Sequence, residues 1–463
     1  MSEPLLYCNG INGETGDYLR PPATLEEIAS LARGDSISVD SRAKSKGRGL
    51  RNGTDPRVLQ NTGWGVILAE GDEKTDAILS ALSPLLTLRK SQVGEKFAHR
   101  YQECVGDFGF QAGDTKRRFL SNHSVGAGAV EPDQMPYYLL IVGDPETIPW
   151  EFQYELDVHY AVGRLWFETI EEYERYARNV VAAEASPRAR GKSAALFAPQ
   201  HEGDPPTELT RFHLATPLAE RIEKMGSGWT VKRAFGEDAT KANLLKMLNG
   251  DGPPDLLFTA GHGLWYPNGA PDQLSRMGAL VCQDWPGHGC GHGPRPTDFL
   301  SGDDVNGADL SGLVSFHFAC YGAGAPAIGD FPIARTRTAA RSFISHLPQR
   351  QLQAGALAVI GHVDSGFEHS IELPGAGKHI EAFEDFVDRL LVKGHPVGSA
   401  MENFGMRYSD LSRDLGAVLE EEKRGLAADD KVVADLWTCS RDARNYVVLG
   451  DPAVRLLPPA GES

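Results

Sequence analysis

The sequence predicts an α/β fold in which mostly parallel sheets are covered by helices on both faces. Short, continuous apolar runs such as Tyr137–Val142 and Gly355–Gly361 have the length of strands that are buried on both sides. These runs alternate with longer segments of helical periodicity, such as Thr169–Ala185. Such alternation is typical of parallel strands joined by crossover helices. With 41% hydrophobic and 24% charged residues, the 463-residue chain can fill the cores of about two or three packing units.

The chain divides into three regions along its length. Residues 1–60 are predicted to form an N-terminal extension with one short helix, Thr24–Arg33, and a basic linker. The linker, residues 41–57, interleaves Arg and Lys with Ser and Gly, which is typical of a solvated loop that a protease can cut. Residues 61–187 and 188–463 are predicted to be two α/β units, each with its own sheet.

The order of apolar runs and helical periods defines the elements of these two units. In the first unit, the predicted elements are a strand in 63–71, a helix over Glu73–Arg89, strands in 134–149 and 156–166, and the helix Thr169–Ala185. In the second unit, the predicted strands are Ser193–Ala198, Trp229–Ala234, Asp255–Ala260, Gly312–Ala319, Gly355–Gly361 and Tyr446–Leu449. Its predicted helices are Thr210–Met225, Lys241–Leu248, Pro332–Leu347, Ala382–Lys393, Ser399–Leu415 and Glu420–Trp437.

The composition excludes several classes of protein. The chain has 46 Lys and Arg against 63 Asp and Glu, and this net charge of −17 argues against a nucleic-acid binder, which must neutralise phosphates. No apolar run reaches the ~18–20 residues of a membrane helix, and the N-terminus lacks the pattern of a signal peptide. The six cysteines are widely spaced and form no CxxC motif, which indicates reduced thiols. We therefore expect a cytoplasmic protein without a membrane partner.

Two predicted strands lead into residues that can carry covalent chemistry. Asp255–Ala260 runs towards His262, and Gly312–Ala319 runs directly into Cys320. Because the carboxyl ends of parallel strands meet at one edge of a sheet, we expect the imidazole and the thiol to face the same crevice. A histidine can take the proton of a thiol and so generate the nucleophilic thiolate. Glycines beside both residues leave backbone N–H groups available to stabilise an oxyanion.

These two motifs, in this order, resemble the clan of caspases, gingipains, separases and CHAT-domain proteases. YYLLIVGDPETIP and the following HYAVGRLWFETIEEYERYARNVVAAE resemble the first subdomain of gingipain-type peptidases. FLSGDDVNGADLSGLVSFHFACYGAGAP resembles the CHAT approach to the nucleophile, and NYVVLGDPAVRL resembles the ending shared by both groups. Together the motifs span residues 130–457. The resemblance implies a caspase/gingipain-like fold, with residues 61–187 as the gingipain-like N-terminal subdomain and residues 188–463 as the catalytic domain.

The resemblance implies a cysteine endopeptidase that needs no cofactor or metal. Cys320 would be the nucleophile and His262 the general acid–base, and the N–H groups of Gly263 and Cys320 would form the oxyanion hole. Glu202 falls where gingipains have a carboxylate that orients the histidine. The separation between His262 and Cys320 is longer than the family usually shows, which implies an insertion within residues 264–310.

The resemblance also assigns residues to a substrate pocket. Asp364 and Phe367 fall where the family lines the pocket for the P1 side chain, which precedes the scissile bond. Two positions before the nucleophile stands Phe318, where metacaspases and separases carry an acidic residue that recognises a basic P1 side chain. Asp204 and Glu208 are further acidic candidates for this pocket. With the family's frequent basic preference, they favour Arg or Lys at P1.

The biological setting and the alternatives follow from the same residues. The resemblance implies a bacterial signalling or defence protease that acts on a protein or peptide and is activated by a protease or a sensor protein. The segment with Arg335, Arg337 and Arg341 is either a solvated helix face or an activation loop. Two alternatives stay open: a catalytically inactive partner-binding module, and a metal-dependent hydrolase. The candidate metal ligands are Cys282, His288, Cys290 and His292, whereas His317 is predicted to be a core residue.

Overall fold

One ten-stranded sheet forms the centre of the molecule. The computed structural model describes residues 5–34, 49–126, 128–185, 192–226, 228–250, 252–331, 337–373 and 377–456. The strands of the central sheet, numbered in chain order, are β1 Trp64–Ile67, β2 Tyr101–Cys104, β3 Tyr138–Val142, β4 Ala161–Leu165, β5 Ser193–Ala198, β6 Thr230–Phe235, β7 Leu256–Ala260, β8 Val314–Phe318, β9 Ala358–His362 and β10 Tyr446–Gly450. Their order across the sheet is β2-β1-β3-β4-β10-β9-β8-β7-β5-β6. Every neighbouring pair is parallel except β9 and β10.

The α/β class predicted from the sequence is confirmed, but the two predicted sheets are one. The C-terminal strand β10 lies between β4 of the first unit and β9 of the second and pairs with both. Gly163 permits this close approach, since a Cβ atom there would lie 2.1 Å from the carbonyl oxygen of Gly450. An apolar run shows that a strand is buried but not which strands it pairs with. The pairing of β10 with β4 and β9, the seam between the two units, could therefore not be predicted from the sequence. The predicted boundary at residue 187 lies outside the described residues.

Helices cover both faces of the sheet, as expected for crossover connections. The α-helices are Leu25–Gly34, Leu59–Thr62, Thr75–Val93, Lys116–Asn122, Trp150–Asp157, Ile170–Ala185, Pro205–Leu209, Thr216–Lys224, Lys241–Asn249, Gln273–Arg276, His346–Gln353, Glu381–Leu391, Val397–Ala400, Glu402–Lys423 and Asp430–Arg444. The predicted helix Thr210–Met225 is confirmed in its second half, where the α-helix Thr216–Lys224 lies. Its first half, Thr210–Ala215, is a π-helical turn that follows the helix Pro205–Leu209.

The predicted helix Pro332–Leu347 is wrong in the residues that the structure describes. Phe343–Ile344 pairs with Gly324–Ala325 as a short antiparallel ladder, and a helix starts only at His346. Its Ala and Arg residues favour a helix, so tertiary pairing overrides local helix propensity in this segment. Its Arg337 and Arg341 are exposed, while Arg335 lies outside the described residues.

A buried ionic network ties the first unit to the end of the chain. Arg89 donates from Nε to Asp451 Oδ2 at 2.7 Å and from Nη2 to Glu184 Oε1 at 2.7 Å. The indole Nε1 of Trp64 donates to the other oxygen of Asp451 at 3.0 Å. Arg89 and Asp451 are almost completely buried, so each charge depends on the others for compensation.

The N-terminal extension lies across the carboxyl edge of the central sheet. Its strand Gly10–Asn12 joins a four-stranded sheet by pairing in parallel with Gly263–Trp265, which follows β7. The other two strands of this small sheet, Leu280–Val281 and Phe299–Leu300, come from the region predicted to be an insertion. Two-residue strands Leu5–Leu6 and Ala23–Thr24 pair with each other, as do Glu372–Leu373 and Gly377–Lys378.

The predicted helix of the extension is confirmed as Leu25–Gly34, and it packs against Asp430–Arg444. Residues 41–48 of the predicted basic linker lie outside the described residues. Among the helices that the structure describes, none is long and apolar enough to cross a membrane.

Candidate active site

The register of the central sheet brings His262 and Cys320 together. In the parallel pairing of β7 with β8, Ala260 lies opposite Phe318. His262 and Cys320 each follow two residues later, so both leave the carboxyl edge of the sheet at the same level. Two glycines beside His262 place the chain close to the nucleophile loop, and Gly261 N donates to the carbonyl oxygen of Phe318 at 3.1 Å. Neighbouring strand ends thus bring these two residues to the same edge of the sheet, and their roles as general base and nucleophile stay a prediction.

The imidazole of His262 is held by a carboxylate, and that carboxylate belongs to Asp204. His262 Nε2 lies 2.6 Å from Asp204 Oδ2. Asp204 also accepts hydrogen bonds from the hydroxyls of Tyr18 at 2.5 Å and Thr207 at 2.7 Å. Because Nε2 is engaged, Nδ1 is the ring nitrogen that remains for proton transfer, and it is buried with no hydrogen-bond partner among the described residues.

Burial makes the interaction between Asp204 and His262 strong. Burial alone opposes charge on both groups, but their mutual attraction outweighs it. The carboxylate and its hydrogen bond therefore raise the pKa of His262 above its usual value. In return, the charge and hydrogen bond of His262, with the bonds from Tyr18 and Thr207, hold the pKa of Asp204 well below its usual range. By contrast, burial and the nearby charge of His262 lower the pKa of His201 to about 4.

Glu202, the carboxylate predicted to orient His262, is exposed and does not contact it. Gly203, whose φ of +71° lies in the left-handed region, turns the chain between Glu202 and Asp204. Asp204 then precedes the helix Pro205–Leu209 and is buried against His262. Asp204 was predicted to line the substrate pocket, and the structure places it behind the imidazole instead. Glu208, the other acidic candidate on this segment, is exposed on the helix.

The two residues predicted to form the oxyanion hole lie in direct contact. A Cβ atom on Gly263 would lie 1.9 Å from the carbonyl oxygen and 3.0 Å from the nitrogen of Cys320. Only glycine therefore fits at this position. The contact brings the peptide groups of Gly263 and Cys320 to one point beside the thiol.

A strained loop pair forms the other wall of the site. Tyr321, after β8, and Asp364, after β9, both have left-handed backbones, with φ of +57° and +77°. Non-glycine residues adopt this conformation at a cost of about 1–3 kcal/mol, and they concentrate at functional sites. The carboxylate of Asp364 accepts from the hydroxyl of Tyr321 at 3.1 Å and from the backbone N–H groups of Ser365 and Asp330 at 2.8 and 2.7 Å.

The predicted pocket residues Asp364 and Phe367 therefore lie beside Cys320. The N–H of Tyr321 donates to the carbonyl oxygen of Asp364 at 2.8 Å. The N–H of Gly366, between the two predicted residues, donates to Cys320 Sγ at 3.0 Å. Phe367 is buried against Phe331, with ring centroids 4.1 Å apart.

The N-terminal extension covers the thiol. A Cβ atom on Gly10 would lie 3.2 Å from Cys320 Sγ, and the Sγ atom of Cys8 lies 3.9 Å from it. Asn9 donates from its backbone to Gly366 and from its side chain to the carbonyl oxygen of Gly261, both at 3.0 Å. Cys320 is 0% exposed as a result. In this conformation a substrate carbonyl cannot reach the sulfur until the extension moves.

A partly buried cation, Arg20, also lies near the thiol. Arg20 lies near Tyr321 and Asp364, and although burial alone lowers its pKa, these neighbours and the two thiols raise it. Its guanidinium carbon is 6.0 Å from the centroid of the Phe331 ring. Its Nη1 is buried and has no hydrogen-bond partner in the part of the chain that the structure describes. The wall formed by Asp364 thus accommodates a guanidinium group.

Sequence reasoning missed the contributions of the extension to this site. Cys8, Asn9, Tyr18 and Arg20 lie in a short Gly/Asn-rich stretch without helix or strand periodicity. The sequence offered one signal for these contacts. Several glycines stand near an isolated cysteine, and glycines allow the backbone to pass close to another part of the chain. That signal does not identify the residues on the other side of the contact.

The candidate metal ligands do not converge. Cys282 is buried at the end of a strand, where burial raises the pKa of its thiol. His288 contacts the carbonyl oxygen of Gly16, and Cys290 contacts that of His292. Among the described residues, no group of three or more His, Cys, Asp or Glu side chains is arranged to hold a metal ion. His317 is a core residue, as predicted, because both ring nitrogens lie 2.9 Å from buried partners, Thr259 and Gln351.

Comparison with known families identifies the class of protein. The model of peptidase family C25 matches residues 74–457, which is most of the chain. The chain therefore belongs to peptidase family C25, the gingipain family of caspase-like cysteine endopeptidases. The match begins after the N-terminal extension, within the first predicted α/β unit, and includes nearly all of the second. No curated protein sequence gives a significant match.

Solved structures with a similar arrangement come from the same clan. The complex of the pro- and mature domains of Porphyromonas gingivalis RgpB matches with a TM-score of 0.46 and 15% identity, over 86% of this chain and 80% of that one. The Arg-specific cysteine proteinase gingipain R matches with a TM-score of 0.42 and 12% identity, over 85% and 78%. A Saccharomyces cerevisiae separase–securin complex matches with a TM-score of 0.36 and 12% identity, over 73% and 17%.

Proposed function

We propose that this peptidase cleaves its substrates with Cys320 as nucleophile, His262 as general acid–base and Asp204 as the carboxylate that positions His262. The observation that carries the proposal is the arrangement of the carboxylate–imidazole pair and the thiol on adjacent ends of parallel strands. A buried carboxylate stabilises the imidazolium that forms when His262 takes a proton. The same arrangement was predicted with Glu202 in place of Asp204.

The reaction then follows the usual steps of thiol acyl transfer. Nδ1 of His262 takes the proton of Cys320, and the thiolate attacks the scissile carbonyl carbon. The N–H groups of Gly263 and Cys320 stabilise the negative charge that develops on the carbonyl oxygen. His262 returns the proton to the departing amine, which leaves a thioester. Water, deprotonated by His262, hydrolyses the thioester and releases the second product.

The proposal includes a preference for Arg or Lys at P1. The wall beside Cys320 contains the carboxylate of Asp364 and already lies near the guanidinium of Arg20. A basic P1 side chain would take the place of Arg20 when the extension moves away. The expected selectivity is at least about tenfold over an uncharged P1 residue, which corresponds to about 1.4 kcal/mol of charge complementarity.

Activity requires that the N-terminal extension move away from Cys320. The proposal therefore includes a partner protein or a protease that displaces the extension. This step agrees with a latent precursor that is switched on when needed. Exposed Arg337 and Arg341 lie after the nucleophile on a segment that a protease can reach. A bacterial signalling or defence role rests on the family resemblance alone, and identification of the protein that is cleaved in cells would test it.

Cleavage of a peptide library, with all residues sampled at P1, tests the assignment. The reduced protein should cleave after Arg and Lys, either intact or after limited proteolysis. Cys320→Ala should lose all cleavage in both forms, whereas Cys104→Ala, a matched change of a buried thiol on the distant strand β2, should retain it. A preference for acidic or apolar P1 residues would contradict the pocket assignment.

A specific observation favours a second candidate, the catalytically inactive partner-binding module. Cys320 is fully buried, so the described conformation has no accessible nucleophile. This candidate predicts that the wild-type protein and Cys320→Ala are equally inactive, both intact and after limited proteolysis. Any cleavage that depends on Cys320 rules it out.

A further inference from the structure

We infer that Cys8 and Cys320 form a dithiol site that a hydroperoxide oxidises to an intramolecular disulfide, which reversibly blocks the nucleophile. Their Sγ atoms are 3.9 Å apart although the residues are 312 positions apart in the chain. A disulfide requires about 2.05 Å between the sulfurs, so a change of side-chain rotamer brings two such thiols within bonding distance. The blocking effect rests on the proposed role of Cys320, but formation of the disulfide does not.

The backbone on both sides of the pair is held in place. Cys8 forms an antiparallel bridge with Phe367, and the following N–H of Asn9 donates to the carbonyl oxygen of Gly366. The N–H of Gly366 in turn donates to Cys320 Sγ at 3.0 Å. Gly10 allows the chain to cross this close to the sulfur, since a Cβ atom there would lie 3.2 Å away. The proximity of the thiols therefore follows from paired backbone, not from two mobile side chains.

The surroundings of the two thiols differ in a way that suits the reaction. Burial, with the nearby sulfur of Cys8, raises the pKa of Cys320. Burial also opposes ionisation of Cys8, but a hydrogen bond from Cys320 and the positive charge of Arg20 lower its pKa overall. Cys8 is therefore the thiol that ionises first. The thiolate is the form that reacts with peroxides.

The chemistry balances with a hydroperoxide as the only oxidant. The thiolate of Cys8 attacks the distal peroxide oxygen, the O–O bond breaks, and the alkoxide or hydroxide leaves with a proton as an alcohol or water. Cys320 then attacks the sulfenic sulfur of Cys8, and the departing hydroxyl leaves as water with the thiol proton. Two thiols lose two electrons in total, and the hydroperoxide gains them. A small thiol reverses the change by thiol–disulfide exchange.

The other cysteines of the chain provide controls. None of the six forms a disulfide in the structure. Burial raises the pKa of Cys104 and of Cys439 to about 12, so both should react slowly with peroxide. Cys290 is partly exposed and contacts a backbone carbonyl group, not a second sulfur.

Peptide mapping under non-reducing conditions tests the inference directly. The full-length protein is treated with hydrogen peroxide, alkylated, digested and examined by mass spectrometry. We expect a Cys8–Cys320 linked peptide pair that disappears after treatment with dithiothreitol. Cys8→Ser should give no linked pair, whereas Cys104→Ser should give the same pair as the wild type. Oxidation of Cys320 to a sulfinic acid without any linked pair would overturn the inference.

Activity measured on the same samples separates this inference from the proposed function. In the wild type, cleavage should fall with disulfide formation and recover at least about tenfold with dithiothreitol. In Cys8→Ser, normalised to its own untreated activity, loss should be at least about tenfold slower, since the thiol that reacts with the peroxide is absent and burial keeps Cys320 protonated. If the disulfide forms but no cleavage is ever detected, the dithiol site stands and the proposed function fails. If Cys8→Ser does not fold, slower alkylation of Cys320 in the oxidised wild type replaces it.

Discussion

Asp204→Asn is expected to lower kcat/KM about a hundredfold, while Glu202→Gln, two residues away, changes it less than about twofold. Asp204 is buried and lies 2.6 Å from His262, whereas Glu202 is exposed. Loss of a charged hydrogen bond of this kind costs about 1.5–3 kcal/mol, which is the origin of the expected factor. The two variants make the same chemical change, from carboxylate to amide, so they differ only in position.

The pH dependence of cleavage distinguishes this positioning role from a structural one. Asp204 raises the pKa of His262, so the amide variant should lower that pKa. The limb of the pH–rate profile that reports His262 should therefore move to lower pH in Asp204→Asn and stay in place in Glu202→Gln. Equal thermal stability of the two variants would show that the fold is intact. If Glu202→Gln loses as much activity as Asp204→Asn, the carboxylate predicted from the sequence is the correct one.

The placement of His262 and Cys320 at one edge of the sheet could be predicted because general rules cover it. An apolar run of strand length leads to His262 and another leads to Cys320, and the carboxyl ends of parallel strands meet at one edge. The carboxylate that pairs with His262 could not be predicted by such a rule. The choice between Glu202 and Asp204 depends on the turn at Gly203 and on where the next helix starts. Asp204 before Pro205 is a sequence signal for a helix start, but that signal does not show which carboxylate is buried.

Contacts between distant parts of the chain were beyond sequence reasoning. The strand Gly10–Asn12 has three residues, too few to show any periodicity, and its partner is Gly263–Trp265. The contact of Cys8 with Cys320 joins residues 312 positions apart, one in the extension and one in the predicted catalytic domain. The position of β10 between β4 and β9 could not be predicted either. A strand that is buried on both faces is a continuous apolar run, which does not indicate its neighbours in the sheet.

Asp451→Ala is expected to lower the free energy of unfolding by about 3–5 kcal/mol, the cost of leaving a buried charge without its partner. Asp451 lies in the terminal GDPAVRL motif and is 0% exposed. The change would remove the acceptor for the indole of Trp64 and one of the two carboxylates on Arg89. Because the network joins strand β1, the helix Thr75–Val93 and the end of β10, its loss should weaken the seam of the central sheet.

Urea unfolding of two further variants shows whether the buried network causes this loss. Glu174→Ala removes an exposed partner of Arg178, and such helix pairs contribute only about 0.3–0.5 kcal/mol. Arg89→Ala and the double variant with Asp451→Ala complete a thermodynamic cycle. If the two residues act as a pair, the double variant should be less destabilised than the sum of the single variants by at least about 1 kcal/mol. Additive effects would mean that Asp451 stabilises the sheet through Trp64 and the backbone of its turn, independently of the Arg89 charge.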